Sequence, residues 1–176
     1  GTKLAYGPAI DKGFYYDLMT PTPIKEEDFP KIEKRMKEII KEDRPFTRID
    51  VSAEEGLKRT EGDKYKRDNA ERALAREESD GTLSFYCSGN PGENWEDLCA
   101  GPHVPSTGKL KAFKILSLAG AYWHGDQNSD QLTRVYGTCF ADKEGLENYL
   151  TFLEEAKKRD HRRIGKEKRA SRVSQK

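Results

Sequence analysis

The densest group of reactive side chains runs Asp97-Leu98-Cys99-Ala100-Gly101-Pro102-His103. It sets a carboxylate, a thiol and an imidazole close together, and each can ligate a metal, orient a water or exchange a proton. Gly101-Pro102 forbids a regular helix between Cys99 and His103. The group is therefore expected on a bent loop, where the two side chains can still converge. As a zinc site it is short of donors, because zinc takes about three or four protein ligands. The other histidines, His124 and His161, stand well along the chain. On this segment alone the plainer reading comes first: a half-buried histidine beside a small apolar cysteine.

Other residues carry weaker signals. Lys66 could steer a phosphate or a carboxylate, although an ordinary solvated lysine accounts for it as well. Tyr15 and Tyr16 lie in a strand pattern, so one packs inward and the other faces out; either could line a pocket. Ala121-Tyr122-Trp123 suits base stacking or core packing. Lys157, Lys158, Arg159, Arg162, Arg163, Lys166, Lys168, Arg169 and Arg172 form a basic helical tail. Phosphate contacts or a solvated face both explain it. There is no Gly-rich phosphate loop, no G-x-S-x-G and no EF-hand spacing. ATP-dependent chemistry, serine hydrolysis and calcium sensing thus lack sequence support.

The elements that must position these groups follow from periodicity. Residues 4–19 alternate around turn residues and predict a hairpin at Asp11-Lys12-Gly13. From Lys25 to Asp43, Phe29, Ile32, Met36, Ile39 and Ile40 form one helical stripe, with Pro30 in the first turn and Pro45 as the stop. Phe46 to Val51 reads as a strand. Ser52-Ala53-Glu54-Glu55 predicts a capped short helix, and Asp68-Asn69-Ala70-Glu71 a second. Strands are expected over 83–87, 110–118 and 132–140, with a loop from Ser88 to Trp95. A helix follows from Lys143, its apolar face carried by Leu146, Tyr149, Leu150, Leu153 and Ala156. Five or six strands with two long and two short helices, not in strict alternation, predict an α+β fold: a mostly antiparallel sheet, flanking helices and a long basic C-terminal helix.

Composition bounds the rest. A chain of 176 residues suits one domain with a helical extension, and its mean hydropathy of -0.95 fits no membrane span. Thirty-two basic and 31 acidic side chains leave a net charge of +1, so any pull toward nucleic acid must be local. Eight Tyr, seven Phe and two Trp supply a core. Three cysteines, Cys87, Cys99 and Cys139, cannot all pair within one chain, and a reduced intracellular setting is the simplest expectation. Gly1-Thr2-Lys3-Leu4 reads like the interior of something longer.

Several segments in order carry a resemblance. They are Tyr6-Gly7-Pro8-Ala9-Ile10-Asp11 with Gly13-Phe14-Tyr15-Tyr16-Asp17; Asp97-Leu98-Cys99 with Gly101-Pro102-His103-Val104-Pro105; Gly120-Ala121-Tyr122-Trp123 with Gly125-Asp126; Val135-Tyr136-Gly137-Thr138; and Glu154-Glu155-Ala156 through His161. From about Lys3 to Lys166 the chain resembles the editing, or second additional, domain of threonyl-tRNA synthetase with its linker helix. The resemblance implies residues 1–142 as the editing domain and 143–176 as linker helix and basic tail.

It also implies an aminoacyl-ester hydrolase that removes serine from tRNA(Thr). Serine lacks one methyl of threonine, and such a difference is worth only about 1–3 kcal/mol in a binding pocket, so a second hydrolytic sieve is needed. Asp97 would hold the seryl amino group or hydroxyl, Cys99 would line the pocket near the water, and His103 would contact substrate or orient water. Lys66 would stabilise charge or place the water, while Gly7 and Tyr16 would wall the pocket against the terminal adenosine and serine. Implied partners are the seryl-bearing 3′ end of tRNA(Thr) and the catalytic core of a parent synthetase, in the cytoplasm or an organelle, with no membrane. The family's His-x-x-x-His pair falls upstream of the position matching Lys3. Without it, Cys99 and His103 are too few for zinc, so no cofactor is expected and deacylation by this chain should be weak or absent. Ala100 and His124 stand where the family has Arg. The rival expectations are a noncatalytic tRNA-binding module and a free-standing trans-editing deacylase.

Overall fold

The computed structural model describes residues 1–173, with side chains through Ile164. Strands β1 (Lys3–Tyr6), β2 (Ala9–Ile10) and β3 (Gly13–Met19) come first. Helix α1 (Phe29–Lys41) precedes β4 (Phe46–Ser52), and two short helices follow, α2 (Ala53–Arg59) and α3 (Lys64–Leu74). Next come β5 (Thr82–Ser88), β6 (Trp95–Leu98), β7 (Ala112–Tyr122), β8 (Gln131–Phe140) and α4 (Lys143–Val173). The strands form two antiparallel sheets. One runs β1-β3-β8-β7 with β2 on β3, and the other runs β4-β5-β6. This is the α+β class expected from the sequence. The side chains of Lys166, Lys168, Arg169 and Arg172, and the residues after Val173, lie outside the described ones.

Local chemistry explains most boundaries. Pro30 sits in the first turn of α1, where its missing N–H costs nothing, after a single 3-10 turn over Glu26–Asp28. Ser52 caps α2 by accepting from the Glu55 amide at 3.3 Å. Helix α3 departs from expectation. It begins at Lys64, because Asp63 Oδ1 accepts from the amides of Tyr65 and Lys66 at 3.1 and 3.3 Å. Asp68 is no cap; it lies inside the helix and pairs with Arg72 one turn on, at 2.9 Å.

Two further differences concern strands. The Asp97–His103 group is not all loop, since Trp95–Leu98 pairs with β5 in the register Tyr86↔Asp97 and Phe85↔Leu98. Trp-Glu-Asp-Leu has too few apolar residues to announce a strand. The ladder to β5 supplies its order, and it forms a sheet edge. Strand β7 also runs four residues past Leu118, through Gly120, as far as Tyr122.

Helix α3 joins the two sheets. Tyr65, 1% exposed, packs with Ala5 and Leu132, against which Met19 and Trp123 lean. Five residues on, Ala70 packs with Leu83 and Phe85 of the second sheet, flanked by Val51, Leu57 and Leu98. Burying a side chain such as Phe85 is worth about 1.5–3 kcal/mol. Lys66 therefore starts from a helix fixed to both sheets. No described helix is long and apolar enough to cross a membrane.

Candidate active site

Three elements bring Lys66, Tyr16 and Asp97 together. Lys66 leaves the first turn of α3, Tyr16 is central in β3, and Asp97 stands on β6. Asp97 Oδ2 accepts from Lys66 Nζ at 2.6 Å and from the Tyr16 hydroxyl at 2.7 Å. Lys66 Nζ also lies 3.3 Å from the Tyr16 oxygen. The second carboxylate oxygen accepts from the Leu98 amide at 2.8 Å. The Asp97 and Lys66 side chains are only 11% and 13% exposed, so this is a shielded ion pair rather than a surface one. Burial, reinforced by the Asp97 charge and hydrogen bond, pushes the Tyr16 phenol far above its usual range. It stays protonated and donates. Gly7 makes room for the ring, since a Cβ there would collide with Tyr16.

Cys99 and His103 form an adjoining group. Strand alternation places Tyr86, Asp97 and Cys99 on one face of the small sheet, with Phe85 and Leu98 on the other. The pairing continues past β6, for the Cys99 amide donates to the Ser84 carbonyl at 3.0 Å and Ser84 Oγ donates to the Cys99 carbonyl at 2.7 Å. The chain then bends through Gly101. At φ 75°, a left-handed value, any Cβ would strike the Tyr86 hydroxyl. The bend returns His103 to within 3.9 Å of the cysteine, Nε2 to Sγ. The convergence across Gly101-Pro102 is as expected, although its first half is strand.

Aromatic rings fix His103. Its imidazole stacks on Tyr86 at 4.1 Å between centroids and meets Phe46 at 5.0 Å. Neither Tyr86 nor Phe46 stands out in the sequence. The only signal for Tyr86 is its place among the polar positions of an alternating strand, where an aromatic has no core to fill. This partial shielding lowers the His103 pKa below the ordinary imidazole value by disfavouring the charged form. His103 is therefore mainly neutral at pH 7, suited to accept a proton from water or to orient it.

The same shift makes stability depend on pH. The unfolded chain binds more protons at this position than the folded one just below about pH 6.5. The contribution is present above that pH and is lost as pH falls through it. Urea titrations of the parent and His103→Gln between pH 5 and 8 should converge on the acid side relative to pH 8. A constant gap across the range contradicts it.

Beside the ion pair lies a cavity of about 300 Å³, lined by Leu4, Arg59, Asp63, Lys66, Glu96 and Asp97 among others. Arg59 and Glu96 close one side with a 2.8 Å ion pair, and neither is anticipated by the sequence. Cys99 and His103 are not part of that lining. Among the described residues no set of three His, Cys, Asp or Glu side chains could hold a metal. His124 and Trp123 lie elsewhere; Trp123 is partly buried against the core around Tyr65, and Tyr122 is 41% exposed.

The arrangement offers a fixed carboxylate, an ammonium, a phenol donor, and a thiol with a neutral imidazole at the margin. Together they can bind a small cation or hydroxyl, stabilise an oxyanion and orient a water. The chain is similar to known proteins. Residues 84–136 match the threonyl and alanyl tRNA synthetase second additional domain. The chain is 50% identical over 167 residues to a threonine--tRNA ligase of Thermus thermophilus, covering 94% of this chain and 25% of the ligase. The ligases of Burkholderia lata and Bdellovibrio bacteriovorus are each 48% identical over the same shares. The chain thus spans about a quarter of the length of these curated relatives. Asp97, Cys99 and His103 fall inside the matched segment, and the wider similarity takes in nearly all the rest, so the chain carries a threonyl and alanyl tRNA synthetase second additional domain over residues 84–136 and is similar along nearly its whole length to threonine--tRNA ligases.

Proposed function

We propose that this chain is an editing module that hydrolyses a seryl ester from the 3′ end of tRNA(Thr). The observation that carries this reading is the Lys66–Asp97–Tyr16 cluster, held together by three elements beside the Cys99–His103 contact. Asp97 receives the serine ammonium or hydroxyl, because its carboxylate is held by three donors and faces a cavity of amino-acid size. Lys66 supplies positive charge as the ester carbonyl becomes an oxyanion. Neutral His103 takes a proton from the attacking water, with Cys99 lining the approach. Tyr16, backed by Gly7, forms the wall toward the terminal nucleotide. Residues 1–142 carry the site, α4 links it to the catalytic core of a synthetase, and the setting is the cytoplasm.

The test is serine release from seryl-tRNA(Thr), run beside salt-dependent binding of the same tRNA. Slow release by this chain, faster when the family's His-x-x-x-His helix is joined ahead of Gly1, supports the proposal. Binding without hydrolysis in both forms makes this a noncatalytic RNA-binding module. The absence of both binding and hydrolysis in both forms refutes the reading.

A further inference from the structure

Lys66 is delivered by α3, and its neighbours on that helix are gripped by one turn. This turn follows β7, running from Trp123 to Asp130. Within it His124 adopts φ 54°, in the left-handed region. A non-glycine residue keeps that conformation where its surroundings hold it there. The His124 ring lies 4.1 Å from that of Trp123. Its Nε2 lies 2.7 Å from Asp68 Oδ2 on α3. Trp123 meets Tyr65 edge-on at 5.0 Å. The Tyr65 hydroxyl donates to Asp130 Oδ2 at 2.7 Å, Lys64 pairs with the same carboxylate, and the Trp123 amide donates to the Asp130 carbonyl at 2.9 Å. Positions 64, 65 and 68 of α3 thus all engage one turn, while Asp97 holds the ammonium of position 66.

We propose that this turn is a clamp and His124 a positioning residue, which through Asp68 sets the rotation of α3 that brings Lys66 onto Asp97. Its value to catalysis rests on the ester-hydrolysis reading; the positioning does not. Two adjacent residues share the task. Trp123 anchors the buried side of the helix start through Tyr65, and His124 reaches one turn further to Asp68. The left-handed backbone at His124 lets neighbouring rings address two different points on one helix. Arg72 also holds Asp68, at 2.9 Å, so the carboxylate is presented in one place.

The test is limited labelling of the full chain with an amine-reactive ester, read lysine by lysine by mass spectrometry. His124→Ala should raise Lys66 labelling about threefold or more through local opening. Lys114, held by Glu33, and Lys12 should keep their rates. His124→Gln, which keeps a hydrogen bond to Asp68, should return Lys66 toward the parent rate. An unchanged Lys66 in His124→Ala overturns the clamp, and so does an equal rise at all three lysines. If His124→Ala does not fold, Asp68→Ala takes its place with the same expected and contrary results. Should the ester stay uncleaved even with the His-x-x-x-His helix joined ahead of Gly1, while Lys66 still responds to His124, the functional reading fails and the clamp stands.

Discussion

Asp97→Ala is expected to end ester hydrolysis and to cost about 3 kcal/mol of stability, because it strands a largely buried ammonium. Lys66 has two polar partners, Asp97 at 2.6 Å and Tyr16 at 3.3 Å, and only the first is charged. Asp97→Asn separates the two effects. Its single carbonyl oxygen can still accept from Tyr16, although its NH2 then faces the Leu98 amide, so the fold suffers less than with alanine, yet the charge that would bind the serine ammonium is gone. Hydrolysis should fall by roughly a hundredfold or more. A double-mutant cycle with Lys66→Met should reveal strong coupling, since the two groups share one contact. Urea denaturation measures the stability term and serine release the catalytic one. Independent, additive effects of the two substitutions would show that the pair does not act as a unit.

The second large effect lies away from the site. Arg134 on β8 clasps Asp17 on β3 through two bonds, Nε to Oδ1 at 2.7 Å and Nη2 to Oδ2 at 2.9 Å. Asp17 is 5% exposed. The guanidinium also lies over the Tyr15 ring, 3.9 Å from its centroid. Strand alternation puts Tyr15 and Asp17 on the face opposite Tyr16, so this pair sets β3 from behind while Tyr16 works in front. Arg134→Met leaves the Asp17 carboxylate buried and unpaired and should cost about 3 kcal/mol. For a chain of this size that is roughly a 10 °C fall in melting temperature. Asp17→Asn on the same background should recover much of it. A melting temperature unmoved by Arg134→Met would mean that solvent already reaches Asp17.

Those two pairs also mark what can be read in the sequence and what cannot. The Asp97-x-Cys99 spacing is local, and two residues on an extended chain share a face whatever the fold. The return of His103 to Cys99 follows from Gly101-Pro102. The stripe of α1, the cap at Ser52 and the hairpin at Asp11-Lys12-Gly13 are legible for the same reason: each is decided by a few neighbouring residues. Lys66 is not. Its meaning depends on where α3 begins, and the pattern at Asp68 imitates the cap that Asp63 makes. The stack of His103 on Tyr86 and Phe46 joins residues far apart in the chain. The Arg59–Glu96 and Asp17–Arg134 pairs do the same. No spacing rule finds such partners. Their pairing is fixed by strand register and helix docking. Strand β6 escapes a reading of its residues because its order comes from β5.

One measurement bears most directly on the site. Single-turnover release of serine from seryl-tRNA(Thr) is compared with release of threonine from threonyl-tRNA(Thr), using the chain with the His-x-x-x-His helix joined ahead of Gly1, beside its Asp97→Asn form. The predicted result is cleavage of the seryl ester at least about tenfold faster than the threonyl ester, with Asp97→Asn reduced to the spontaneous rate. Equal cleavage of both esters, or an Asp97→Asn form as fast as its parent, would contradict it.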